Sequence, residues 1–141
     1  MKNIKKLLTL VILLAVVFCK KEEGVVGNVS SIGVGPVEKI EPAEISPALA
    51  EEGKSLYDAK CMACHIMGKK SVGPDLEGVT KRRSPEWIMN MILNPEEMTK
   101  QDVTAQALLK EYYTQMTFQN LTQQEARSLL EYFRNTDKAK N

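Results

Sequence analysis

The sequence predicts an all-α domain, and three observations carry that prediction. No segment alternates apolar and polar residues long enough to make a convincing strand. Four segments repeat apolar residues at helical spacing, and each begins at a residue suited to cap a helix. Ser46 followed by Pro47 opens the first, in which Leu49, Gly53, Leu56 and Tyr57 share a face. Gly53 is costly inside a helix and marks the close approach of another backbone. Ser84-Pro85 opens the second, "PEWIMNMIL", with Trp87, Ile88, Met91 and Ile92 on one face, and Asn94-Pro95 is expected to stop it. Asp102 caps the third, whose apolar face is Ala105, Leu108, Leu109 and Tyr112. Thr122-x-x-Glu125 is a capping box before the last helix, where Ala126, Leu129, Leu130 and Phe133 follow the helical repeat. Residues 68–83 are expected as loop, with Gly73-Pro74 as a turn signal. Four short helices bury little apolar area, so such a domain needs a staple or a large apolar cofactor at its centre.

The 141 residues hold one domain and not two. The domain is placed at 48–137, after a signal peptide (1–18) and a flexible linker (19–47). The leader has lysines at 2, 5 and 6, then an apolar run from Leu7 to Phe18. That run is shorter than the about 20 residues a membrane-spanning helix requires and fits the core of a secretory signal. It ends at Cys19, before the polar "KKEEG". The junction resembles the lipobox of bacterial lipoproteins, with Phe18 where a small residue is usual, and implies a lipidated Cys19. The alternative is an ordinary signal peptide or an uncleaved anchor. Residues 20–47 contain four glycines, three prolines and no aromatic residue, the composition of a spacer. Without residues 1–18 the chain carries 16 basic and 18 acidic side chains. That balance excludes a nucleic-acid footprint.

The chemistry is concentrated in "CMACH", residues 61–65. Cys61 and Cys64 are spaced to share one helical face, and His65, the only histidine, follows directly. This is the C-x-x-C-H pattern of covalent haem attachment: two thioethers fix the porphyrin edge and the histidine binds iron. A structural zinc site requires four ligands, usually in two pairs, and no second pair exists once Cys19 is set aside. A redox C-x-x-C belongs near a βαβ pattern, which is lacking. One haem c, held by Cys61 and Cys64 with His65 on the iron, is therefore the expected cofactor.

A second histidine cannot bind the other face of the iron, because the chain has none. Methionine is the usual partner, and it raises the potential. Met62 and Met67 are tied to the histidine's side of the ring. Met89 and Met91 lie within a helix, where methionine more often fills core. Met98 and Met116 are expected in irregular segments able to cross the ring, and Met116, in the loop before the last helix, is favoured over Met98.

Residues 48–135 resemble a class I, single-haem bacterial cytochrome c. The resemblance rests on Gly53, Tyr57, "CMACH", "GPDL" at 73–76, "RRSPEWI" with Trp87, "NP" at 94–95, "YYTQM" and "LTQQEARSLLEYF". It implies that Gly53 lets the first and last helices cross closely. It implies that the Pro74 carbonyl orients the proximal histidine, and that the sixth ligand occupies the place of Met116. Where the family commonly has proline after that methionine, this chain has Thr117. Trp87 has two readings, a hydrogen-bond donor near the haem propionates and a core tryptophan. The run Lys81-Arg82-Arg83 is expected as a solvated face. The resemblance implies a monomeric single-electron carrier and not an enzyme. It would be exported to the periplasmic face of a bacterial membrane, where its partners are redox proteins such as an oxidase, a reductase or a quinol-oxidising complex. The competing function is a gas-binding sensor or weak peroxidase with a labile sixth ligand.

Overall fold

The structure is a computed structural model and describes residues 31–41 and 43–140. The leader, Cys19 and residues 20–30 lie outside the described residues. Among the described residues six helices follow in order: α1 (Pro47–Lys60), α2 (Val79–Arg82), α3 (Pro85–Leu93), α4 (Pro95–Gln101), α5 (Val103–Tyr112) and α6 (Gln123–Ala139). No strand forms among the described residues, which hold only an isolated bridge between Ile66 and Lys69. None of their helices is long and apolar enough to cross a membrane.

The four expected helices start where their caps place them. Ser46 accepts from the Leu49 N–H, Ser84 from Trp87, Asp102 from Thr104 and Ala105, and Thr122 and Glu125 complete the capping box. Two further helices, α2 and α4, join the four expected. Asn94-Pro95 ends α3 at Leu93 as expected, and a further helix starts at once. Pro95 occupies the first turn of α4, where its missing N–H costs nothing, and Asn94 still donates to the Asn90 carbonyl at 2.8 Å. Helix α2 lies inside the expected loop. Its capping residue is Gly78, which has no side chain, so the cap comes from far along the chain. Asp137 of α6 accepts from the N–H groups of Gly78 (2.7 Å) and Thr80 (3.1 Å) and from the Thr80 hydroxyl.

Helices α1 and α6 cross at Gly53. A Cβ there would collide with the Ser128 carbonyl oxygen and lie 2.9 Å from the Leu129 nitrogen, backbone atoms that cannot step aside. The aromatic cluster beside the crossing sets Tyr57 against Tyr132 at 5.3 Å and edge-on to Phe133 at 6.4 Å, within the range of favourable ring pairs.

Within the spacer expected over 19–47, residues 31–41 are held against the domain, and this corrects the flexible reading for that part. Residues 31–41 form an extended strap over α3 and α4, with Val37 only 2 % exposed. Asn90 organises it: Oδ1 accepts from the Val37 N–H (2.9 Å), and Nδ2 donates to the carbonyls of Ile32 (2.8 Å) and Val37 (2.9 Å). The Ile40 N–H donates to Glu86, and Arg134 donates to the Ala43 carbonyl. Glycine, proline and valine suit such a strap because its backbone groups are satisfied by the domain's side chains rather than by a regular ladder.

Candidate cofactor site

The end of α1 turns directly into the cysteine pair. The Cys61 N–H still bonds the Tyr57 carbonyl, and Cys64 and His65 both donate to the Cys61 carbonyl, at 3.1 and 2.9 Å. Two contacts then hold the histidine. The Tyr57 hydroxyl donates to the His65 carbonyl at 2.6 Å, and His65 Nδ1 lies 2.9 Å from the Pro74 carbonyl. A carbonyl only accepts, so Nδ1 carries the proton and Nε2 keeps its lone pair for a metal. Gly73 makes room for this arrangement: a Cβ there would lie 2.5 Å from His65 Cε1 and 2.8 Å from Nδ1.

Cys61, Cys64, His65 and Pro74 form one wall of a cavity of about 300 Å³, within the range of cofactor sites. Ile88 and Met91 of α3, Leu108 and Tyr112 of α5, and Met116 from the loop before α6 supply other walls. The apolar face predicted for α5 is only half-buried at Leu108, Leu109 and Tyr112 because it lines this cavity. Burial pushes the Cys61 thiol up to about 11, with the nearby Lys60 pulling it back only in part. An apolar wall that resists a thiolate accommodates an uncharged thioether readily.

The cavity sorts the methionines. Met116 and Met91 line it. Met98 does not, which removes it as the second candidate for the sixth ligand. It lies in α4 rather than in an irregular segment, is fully buried, and its sulfur accepts the Val34 N–H of the strap at 2.9 Å. Met89 is buried in the core, and Met62 is half exposed.

Trp87 also lines the cavity with its ring, but its indole N–H is committed elsewhere, to Asp102 Oδ1 at 3.0 Å. The propionate-donor reading of Trp87 is therefore corrected. Asp102 in turn accepts from the Thr104 and Ala105 N–H groups and from the Ser31 hydroxyl, so one buried carboxylate joins cavity wall, α5 and strap. The basic run is not uniformly solvated: Arg82 and Arg83 line the cavity, and the Arg83 guanidinium stacks 5.3 Å from the Trp87 ring centre. Burial, and secondarily Arg82, lower the Arg83 pKa from its ordinary value.

The site is thus a cysteine pair and a histidine oriented by the Pro74 carbonyl, facing an apolar cavity within an α-helical shell. Residues 50–137 match the cytochrome c family. The chain belongs to the cytochrome c family. Among solved structures, this cytochrome is similar to a cytochrome c from Rhodothermus marinus, at 40% identity and a TM-score of 0.73. The match covers 74% of this chain and 91% of that one. An engineered form of the R. marinus protein, described as bound to a carbene intermediate, is 38% identical with a TM-score of 0.69 over 74% of this chain and 91% of that one. The cytochrome c domain of the pp3183 protein from Pseudomonas putida is 27% identical, with a TM-score of 0.56 over 61% of this chain and 88% of that domain. No curated protein matches the chain. This cytochrome is a haem c electron carrier, with the haem held covalently through Cys61 and Cys64.

Several residues that shape the site carry no local signal in the sequence. Asn90, Asp137 and the Thr99–Gln115 pair act on partners far along the chain. Asp102 was legible as a helix cap, and its bond to Trp87 was not.

Proposed function

We propose that this cytochrome carries single electrons with His65 and Met116 as the axial ligands of its haem iron. The observation that carries the reading is that His65, with Nε2 left free by the Pro74 carbonyl, and Met116, from a separate segment, line one cavity. Met91 shares that cavity but sits on the face of α3 that also presents Ile88, and it serves as apolar wall. When bound, haem c supplies a reversible Fe(III)/Fe(II) change, and a thioether ligand favours the reduced form. The chain's own part is to hold both ligands in place, keep the imidazole in one tautomer and exclude water with α3 and α5. If His65 and Met116 both hold the iron, no position would be left on it for a substrate, in keeping with a carrier rather than an enzyme.

The test is the absorption spectrum of the oxidised protein, with carbon monoxide added to the reduced form. A sulfur-to-iron charge-transfer band and no response to the gas are expected. Met116→Ala should abolish the band, whereas Met91→Leu should keep it. The opposite pattern would move the ligand to α3.

The leader and Cys19 support export and a lipid anchor at the periplasmic face of a bacterial membrane, with a monomer passing electrons between redox proteins such as an oxidase or reductase. Only the eleven residues 20–30 would separate a lipidated Cys19 from the packed strap. Their reach is about 40 Å at full extension, so the tether raises the effective concentration of membrane-bound partners within a narrow shell. Mass spectrometry of the mature N-terminus, with Cys19→Ala as comparison, checks the anchor. A second reading, binding of a small exogenous ligand, is favoured by one observation: residues 113–122, which include Met116, form no helix. The engineered R. marinus relative described with a carbene intermediate supports it. Rapid carbon monoxide binding at neutral pH would establish it.

A further inference from the structure

The segment that brings Met116 to the cavity lacks the proline that commonly follows the family's methionine, and Thr117 is exposed. The structure holds the segment in another way. Gln115, immediately before Met116, reaches across to α4. Its Oε1 lies 2.9 Å from the Thr99 hydroxyl, and its Nε2 lies 3.4 Å from the Pro95 carbonyl and 3.0 Å from the Met116 carbonyl. The amide has only one sensible orientation. Pro95 and Met116 present carbonyls, which require the NH₂ end, so Oε1 faces the Thr99 hydroxyl, whose one proton it shares with the Pro95 and Glu96 carbonyls at 3.1 and 3.0 Å. Thr99 is a firm base: it is 8 % exposed, and the preceding Met98 is fully buried beneath the strap. Thr99 and Gln115 both line the cavity.

We infer that Gln115 is a positioning residue for the sixth ligand, a side-chain clamp to Thr99 and Pro95 of α4 that keeps the Met116 segment closed over the cavity. The inference rests on Met116 being that ligand. Closure competes with lifting of the segment, and one net hydrogen bond changes such an equilibrium about fivefold.

The test uses the haem-loaded protein and imidazole as probe, because imidazole binds ferric iron only when the sixth position opens. Gln115→Ala should keep the sulfur-to-iron band but bind imidazole about five- to tenfold more tightly. Thr99→Val should do much the same, and the double variant should add little, since the two changes remove one contact. Gln101→Ala, on the same helix but bonded only to Glu97, should leave imidazole binding unchanged. A merely structural role would lower the melting temperature without this shared effect. If wild type shows the band and Gln115→Ala binds imidazole as wild type does, the clamp is overturned. If wild type shows no band, the Met116 reading fails first and the clamp falls with it.

Discussion

Asn90 shows how much one buried side chain can organise. Its amide is completely buried and serves both backbone groups of Val37 and the carbonyl of Ile32. Asn90→Ala would strand an N–H and two carbonyls beneath the strap. Each unsatisfied buried group costs about 1–3 kcal/mol, and partial rehydration brings the expected loss to about 2–4 kcal/mol. Urea unfolding of the haem-loaded protein measures it, and proteolysis should cut faster within residues 31–41. A variant as stable and as resistant as wild type would show that the strap is held by its apolar contacts instead. In the sequence Asn90 is a polar residue amid an apolar helix, and nothing local says what it binds.

At the scale of elements, the capping box of α6 ties stability to pH. The Thr122 N–H donates to Glu125 Oε2 at 2.7 Å and the Thr122 hydroxyl at 2.8 Å. These bonds, the backbone one first, hold the Glu125 carboxyl below its ordinary pKa in the folded state. A depressed folded pKa makes the contribution fully present above the unfolded value, and it is lost as pH falls through the folded one. Glu125→Gln should therefore destabilise the domain at neutral pH, with the gap from wild type narrowing in acid. Thermal melts at a series of pH values would show it, and a gap independent of pH would refute it. This helix was legible because its capping box, its apolar repeat and its length all lie within one stretch of chain. Helices α2 and α4 were not: one takes its cap from Asp137, 59 residues from Gly78, and the other begins at a proline that reads equally as a stop.

Over the whole molecule, the helices share one buried apolar cluster, and beside it they wall a cavity. Ile88, Leu108 and Phe133, from α3, α5 and α6, all face it. The haem thus supplies apolar contacts that so small a domain lacks. A Cys61→Ala/Cys64→Ala chain, unable to attach haem covalently, should lose most cooperative unfolding and a large part of its helical signal. Circular dichroism and calorimetry test this, and a sharp transition near that of the haem-loaded protein would contradict it. Cys64→Ser, with one thioether left, should fall between the two.

The sequence alone determined the helical class, the four capped helices, the covalent haem attachment at Cys61 and Cys64 and the candidacy of His65. Each of these rests on residues within a few positions of one another, where backbone geometry converts spacing into shape. Tertiary structure alone decided that Met98 is buried under the strap and that Met116 faces the cavity. It also showed that the Trp87 N–H belongs to Asp102 and that residues 31–41 of the expected spacer are packed. Those outcomes depend on partners tens of residues apart, which spacing along the chain does not encode.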